Sequence, residues 1–264
     1  MFKGAIHVHS TYSDGEFSLP ELREMFLFSG CAFVVMTDHA EWFDPPQVRR
    51  YIDECELLSD HQFLFIPGLE YECEQRTHIL GLGTMQLLQT DDPEEVITAI
   101  RQQGGISVIA HPSDARFDRI AGFEVLPDGI ETWNTKYDGR YAARPATFHL
   151  LTRLQERKLR MHGFYGQDLH WRKQCRDLFT IINCHRLTRA HIMAALRHGD
   201  FYGVKARLEL PSDGHLSSGL VKRFEVLHRR SIRLRSLVQH ATSAFKQLGI
   251  PIPFPLKSEM RRLL

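Results

Sequence analysis

The sequence predicts an α/β fold built on a parallel sheet or barrel, and three observations carry that prediction. Short β-branched and aromatic runs alternate with helix-like segments over most of the chain. Each strand–helix unit takes about 25–35 residues, the length of a crossover connection. Histidines and carboxylates recur where the strands end, the rim on which parallel barrels carry their chemistry.

The elements follow in order. Ala5–His9 is a short apolar strand. Ser18-Leu19-Pro20-Glu21 is a capping box, and the helix it opens runs to about Ser29, where Gly30 stops it. Phe33–Thr37 is a strand delivering Asp38 and His39. Pro46–Ser59 reads as a helix and Phe63–Pro67 as a strand. Asp92 caps a helix with Pro93 at its first position, ending at Gly104-Gly105. Ile106–Ala110 is a strand delivering His111, and Gly129–Asn134 is another. Pro145–Arg157 is a helix, and Leu159–Gly163 a strand leading to Asp168 and His170. Phe179–Asn183 is a strand, and Thr188–His198 a helix stopped by Gly199.

Composition bounds the function. Of 264 residues, 43% are apolar and 25% charged, which excludes a disordered or fibrous chain. No apolar run approaches ~18 residues, so no transmembrane segment is expected, and the first ten residues lack the apolar stretch of a secretory signal. Five cysteines, odd in number and without a C-x-x-C pair, point to reduced thiols in a cytoplasmic protein.

Charge is segregated. Residues 219–264 hold ten Lys/Arg against Glu225 and Glu259, a net +8, and leave −7 on the rest. In that tail Leu220, Phe224, Leu227, Leu234, Val238, Ala241, Phe245 and Leu248 mark one helical face, with Ser231 in the skipped place. Pro251, Pro253 and Pro255 would end the helix. The spacing predicts a basic amphipathic helix packed on the barrel, with a break near His228–Ser231. Dimerisation through this helix, or docking to nucleic acid or an anionic membrane, are the alternatives to packing.

The chemistry-bearing residues come as ordered motifs. His7-Val8-His9 ends the first strand, and residues two apart on a strand face the same way. Then follow Ser13-Asp14-Gly15, Thr37-Asp38-His39, Gly68-Leu69-Glu70, His78-Ile79-Leu80-Gly81-Leu82-Gly83, His111-Pro112 and Asp168-Leu169-His170. Imidazole and carboxylate in this density suit Zn²⁺, Mn²⁺ or Fe²⁺. No cysteine falls in the motifs, which disfavours a thiolate zinc site.

In these motifs and their order, residues 4–205 resemble the PHP (polymerase and histidinol phosphatase) superfamily of metal-dependent phosphoesterases. The resemblance implies a distorted seven-stranded β/α barrel over 1–205, followed by a helical tail over 206–264. It implies two to three divalent ions. His7, His9, Glu70 and Asp168 would hold one. Glu70 would bridge to a second held by His78 and His111, and Asp14, His39 and His170 would hold the third. Glu72 is a rival bridge, and Asp38 would orient a ligating histidine. The family's late motif commonly reads G-S-D-A-H; here it is Gly166-Gln167-Asp168-Leu169-His170, with two bulkier neighbours and the ligands intact.

The implied activity is phosphoester hydrolysis, as a phosphatase or phosphodiesterase, by attack of a metal-bridging hydroxide on a phosphorylated small molecule. The alternative is a nuclease acting on nucleotide or oligonucleotide ends, since similar domains accompany bacterial DNA polymerases. An inactive module for protein contacts is disfavoured by the intact ligand set. Phosphate also wants a cation, and Arg140 and Arg144 in the loop after Asn134, with Arg116 after His111-Pro112, are the candidates.

Overall fold

A computed structural model describes residues 1–158, 160–174 and 177–247. In chain order its elements are β1 (Phe2–Val8), α1 (Leu19–Phe28), β2 (Phe33–Met36), β3 (Asp38–His39), α2 (Pro45–Leu57), β4 (Leu64–Ile66), β5 (Leu69–Cys73) and β6 (Thr77–Leu82). There follow α3 (Pro93–Gln102), β7 (Ile106–Ala110), α4 (Phe117–Gly122), β8 (Gly129–Asn134), α5 (Pro145–Gln155) and β9 (His162–Gly166). The chain continues through β10 (Leu178–Ile182), α6 (Arg189–His198), β11 (Phe201–Lys205), β12 (Leu208–Pro211) and α7 (Ser218–Gln247).

The local signals are used as expected at the helix ends. Ser18 and Glu21 form the capping box of α1, and Asp92 accepts the Glu94 and Glu95 N–H groups at the start of α3. Thr188 caps α6, and Gly199 ends it at φ 81°.

The strands form two six-stranded sheets, β12-β11-β10-β1-β2-β4 and β3-β5-β6-β7-β8-β9. The single ring of seven strands is not what the ladders close. Thr37 interrupts the run from β2 into β3, and Pro67-Gly68 that from β4 into β5, so two stretches of chain pass from one sheet to the other. A side chain at Gly68 would press on the Gly81 and Met36 carbonyls, so glycine permits this hand-over. On the far side Gln167 N–H donates to the Ile6 carbonyl at 3.0 Å, and His9 N–H to Leu169 at 3.0 Å, stitching the chain beyond β9 to β1.

Pairing is mixed rather than all parallel. β1, β2 and β4 run parallel, as do β7, β8 and β9, but β6 is antiparallel to both β5 and β7. β3, β5, β6, β11 and β12 were not foreseen as strands. β9 starts at His162, three residues beyond the expected 159; Leu159 itself lies outside the described residues. Gly163 does not end that strand. It sits inside it, where a Cβ would meet Thr132 and Leu151.

The β11–β12 hairpin straddles the boundary expected at 205/206, and Leu210 beyond it is fully buried in the main core. α7 is one unbroken helix of 30 residues, so the break expected near His228–Ser231 does not occur. Losing one apolar side chain at Ser231 removes burial but no backbone hydrogen bond, and serine is tolerated in a helix. Phe224 anchors α7 against Trp133, ring centroids 5.5 Å apart and edge-on, and against Phe148. Leu220 and Leu227 extend that contact, so the first half of the apolar face is covered by the chain's own core. Leu248 and the prolines after it lie outside the described residues. No helix among the described residues is long and apolar enough to cross a membrane.

Candidate metal centre

All nine residues of the motif set lie together at the strand ends. His7 lies at the end of β1, whose register against β2 shifts between Ile6 and Val8, and His9 follows that strand. His7 itself is left-handed, φ 64°, so a bulge rather than plain alternation aims the two rings. Asp14 rides the turn after β1, where Ser13 and Gly15 N–H groups both donate to the Ser10 carbonyl. A side chain at Gly15 would stand 2.5 Å from the His9 carbonyl, so only glycine closes the turn this tightly. His39 and Glu70 are register partners on β3 and β5. His78 lies on β6, His111 follows β7, and Asp168 and His170 follow β9. His111 (φ 29°) and Asp168 (φ 50°) are also left-handed, so three of the six such non-glycine residues among those described are in this cluster.

Glu70 is at the centre and 1% exposed. Its Oε2 lies 3.1 Å from His7 Nε2 and 3.2 Å from His9 Nε2. Its Oε1 lies 2.7 Å from His78 Nδ1 and 3.1 Å from His111 Nε2. One carboxylate thus divides its oxygens between two pairs of imidazoles. Asp168 Oδ1 is 3.6 Å from both His7 Nε2 and His9 Nε2. Asp14 Oδ1 stands 3.2 Å from His170 Nε2, 3.7 Å from His39 Nε2 and 3.8 Å from His9 Nδ1. Ligands about 2.0–2.2 Å from a shared ion would be separated from one another by roughly 3.0–3.5 Å. The observed spacings run from 2.7 to 3.8 Å and so bracket that range.

A sharper test of fit comes from His9. It is fully buried, and although Nε2 stands 3.2 Å from Glu70 Oε2, neither ring nitrogen makes a hydrogen bond of good geometry; His39 Nδ1 is in the same state. A buried polar atom without a partner costs on the order of 1–3 kcal/mol. Lone pairs aimed among carboxylates are what a cation needs. Burial pushes the His9 ring down to about 3, keeping it neutral. For His7 burial acts the same way, but Glu131, Asp168 and Glu70 outweigh it and hold the ring well above its usual value. Burial would raise Glu70 and Asp168, but the surrounding rings pull both well below the carboxylate range. A neutral His9 stands among ionised carboxylates whose charge also raises His7, His78 and His170, a concentration of negative charge that divalent cations would offset in place of those protons.

Several residues take roles other than those expected. Asp38 touches no histidine. It accepts from Ser10 N–H and Oγ, Ser13 Oγ and Tyr51 OH, and so fixes the turn that carries Asp14. Glu72 is exposed and does not reach the centre of the cluster. Gln167 and Leu169 do not crowd the mouth: Leu169 is in the core and Gln167 Nε2 donates to the Leu178 carbonyl at 2.7 Å. Arg144 is committed elsewhere. Its guanidinium binds Asp138 at 2.7 Å, Asp114 at 3.0 Å and the Pro112 carbonyl. Arg116 donates to the Gln75 carbonyl and Ser113 Oγ. Arg140 is exposed over the Tyr141 ring and lines a groove with Leu227, Arg230 and Leu234 of α7.

Sequence reasoning missed Glu131, Asn134 and Lys136. Glu131 Oε1 binds His7 Nδ1 at 2.8 Å, and its Oε2 accepts the His111 N–H and Asn134 Nδ2, each at 2.8 Å. The available signal was a lone carboxylate inside the apolar strand Gly129–Asn134, every residue of which is buried.

No family model matches the chain. The structure resembles a two-domain protein from Bacteroides vulgatus ATCC 8482 that contains a predicted PHP-like metal-dependent phosphoesterase. The TM-score is 0.57 at 17% identity, covering 79% of this chain and 66% of that one. The chain has a PHP-like fold. PsfC from Pseudomonas syringae PB-5123 is also similar, with a TM-score of 0.51 at 15% identity over 86% of this chain and 96% of that one. In sequence, the DNA polymerase/3′-5′ exonuclease PolX of Bacillus subtilis (strain 168) is 28% identical over 157 residues, 48% of this chain. The chain spans only 26% of the length of that curated relative.

Proposed function

We propose that this chain hydrolyses phosphoesters with divalent metal ions held by His7, His9, Asp14, His39, Glu70, His78, His111, Asp168 and His170. The observation that carries the reading is His9, fully buried, its ring nitrogens 3.2–3.8 Å from Glu70, Asp168 and Asp14 and neither making a well-formed hydrogen bond. Glu70, with its oxygens divided between His7/His9 and His78/His111, suits the bridging position. Asp14, His39 and His170 form the outer group beside His9. Mn²⁺, Fe²⁺ or Zn²⁺, about two to three per chain, fit nitrogen and oxygen donors. Such ions supply an activated water near neutral pH and offset charge on phosphoryl oxygens.

The protein's own part is placement. Glu131 holds the His7 ring through Nδ1, leaving Nε2 toward Glu70 and Asp168. Asp38 and Tyr51 fix the Asp14 turn. We read β1, β2–β3, β4–β5, β6, β7, β8 and β9 as the staves of one distorted barrel, stitched through residues 167–169. The buried free thiols Cys31, Cys55 and Cys73 suit a reducing, cytoplasmic setting.

A second reading, cleavage at nucleotide or oligonucleotide ends, is favoured by the partial match to PolX and by the mouth of the site. Tyr137 (46% exposed) and Trp171 (48%) stand there beside His111 and His170, as rings on which bases stack. The test is a substrate panel with Mn²⁺-loaded protein: p-nitrophenyl phosphate, its bis-ester, mononucleotides and a labelled single-stranded oligonucleotide. Turnover of at least one, lost in His9→Ala, is expected. No turnover with Mn²⁺, Fe²⁺ or Zn²⁺ contradicts the reading.

A further inference from the structure

Each arginine considered for phosphate binding has another partner or place, yet the mouth does hold a cation. Lys136 Nζ lies 3.2 Å from Asp168 Oδ1, and 3.3 and 3.2 Å from the two ring nitrogens of His170. No other lysine or arginine among the described residues makes an ion pair with any of the nine cluster residues. The side chain is 20% exposed, so its ammonium touches both the cluster and solvent. It also sits between two exposed rings, 5.5 Å from the Tyr137 centroid and 5.3 Å from that of Trp171.

The turn that carries Lys136 is fixed to the cluster. Asn134 Oδ1 accepts the N–H groups of Lys136 and Tyr137, each at 3.1 Å. The same side chain donates through Nδ2 to Glu131 at 2.8 Å and Asp168 at 3.2 Å. Thr135 is bound on both sides, its N–H to the Gly166 carbonyl and its Oγ1 to that of Gln167. The lysine is therefore placed by the residues that place the cluster, a preorganised arrangement rather than a loose surface charge.

We propose that Lys136 is the phosphate-docking cation of this site, taking an oxygen of the substrate's phosphoryl group at the mouth. The inference rests on the phosphoesterase reading above. An incoming phosphomonoester dianion must approach a floor built from Asp14, Glu70, Glu131 and Asp168. An ammonium at the entrance is a point charge that draws it in and fixes one oxygen. Ions held by Asp168 and His170 would take the lone pairs that the ammonium faces here, leaving it for the phosphate.

The test uses metal-loaded full-length Lys136→Met and Lys136→Arg beside wild type. The assays are hydrolysis of p-nitrophenyl phosphate, binding of inorganic phosphate by calorimetry, and metal content. For Lys136→Met, KM should rise and phosphate affinity fall by about 10-fold or more, with kcat within about threefold. Metal content should stay at the wild-type value, and Lys136→Arg should recover part of the phosphate affinity. Unchanged KM and phosphate affinity would overturn the proposal. So would loss of metal in step with activity, which would make the lysine a support of the cluster. The two readings fail separately. A wild type that cleaves phosphoesters and is matched by Lys136→Met sinks only the lysine's role. A wild type that binds phosphate through Lys136 and cleaves nothing sinks only the hydrolase.

Discussion

His7 Nδ1 lies 2.8 Å from Glu131 Oε1, and neither side chain reaches solvent. The other Glu131 oxygen takes the His111 N–H. One buried carboxylate on β8 thus orients a ring from β1 and the backbone beyond β7, across the floor of the cluster. A histidine held at one nitrogen presents the other in a fixed direction and with greater basicity.

Glu131→Gln should accordingly keep the fold and lose metal affinity by about 10–100-fold, since the amide keeps the shape but not the charge. Chelator competition followed by elemental analysis measures this. Affinity equal to wild type would mean that His7 is held by packing alone.

Much of this site was legible because its residues are chemically unusual for their places. Histidines and carboxylates at the ends of apolar strands stand out from a core pattern, and His7, His39, Glu70, His111, Asp168 and His170 are such residues. Glu131 was not legible as a partner, because its role depends on β8 lying between β7 and β9, a fact of pairing rather than of sequence. The left-handed backbones of His7, His111 and Asp168 were equally invisible, since His and Asp tolerate that conformation but do not mark where it occurs. Arg140 and Arg144 were singled out by charge alone. Only the fold shows that Asp138 and Asp114 already hold Arg144. In the tail the apolar beat found the packed face, but the skipped place at Ser231 was mistaken for a break.

Gly166 is a second route to the same carboxylate. A Cβ there would collide with Glu131 Oε1. Gly166→Ala should displace Glu131 and reduce metal affinity as Glu131→Gln does, with the rest of the fold retained. Thermal melts and chelator competition on the same samples separate the two effects. Wild-type metal affinity would show that Glu131 has room to move.

Phe224 tests the tail. It is 1% exposed, packed against Trp133 and Phe148. Phe224→Ala should cost about 3–5 kcal/mol of stability in urea unfolding. A cost under about 1 kcal/mol would mean that α7 contributes little to the core.

Asp128 offers a pH test away from the cluster. Burial would raise it, but Ser107 N–H and Oγ, both at 3.0 Å, and Lys158 at 2.9 Å hold it below its ordinary value. A carboxyl depressed in the folded state stabilises it above the unfolded pKa, about 3.9, and that stability is lost as pH falls through the folded pKa. The stability gap between wild type and Asp128→Asn should be constant above about pH 5 and narrow below about pH 4. Urea unfolding from pH 6 to 3 reads it. A gap that widens toward acid would reverse the sign and the explanation.

The most direct test of the central claim is elemental analysis of the full chain purified without chelator, beside His9→Ala and Asp168→Ala. Wild type should carry about two to three divalent ions per chain, and each variant should lose metal and phosphoesterase activity together. Wild type holding less than about one ion after reconstitution with Mn²⁺, Fe²⁺ or Zn²⁺, or variants that keep a full complement, would contradict it.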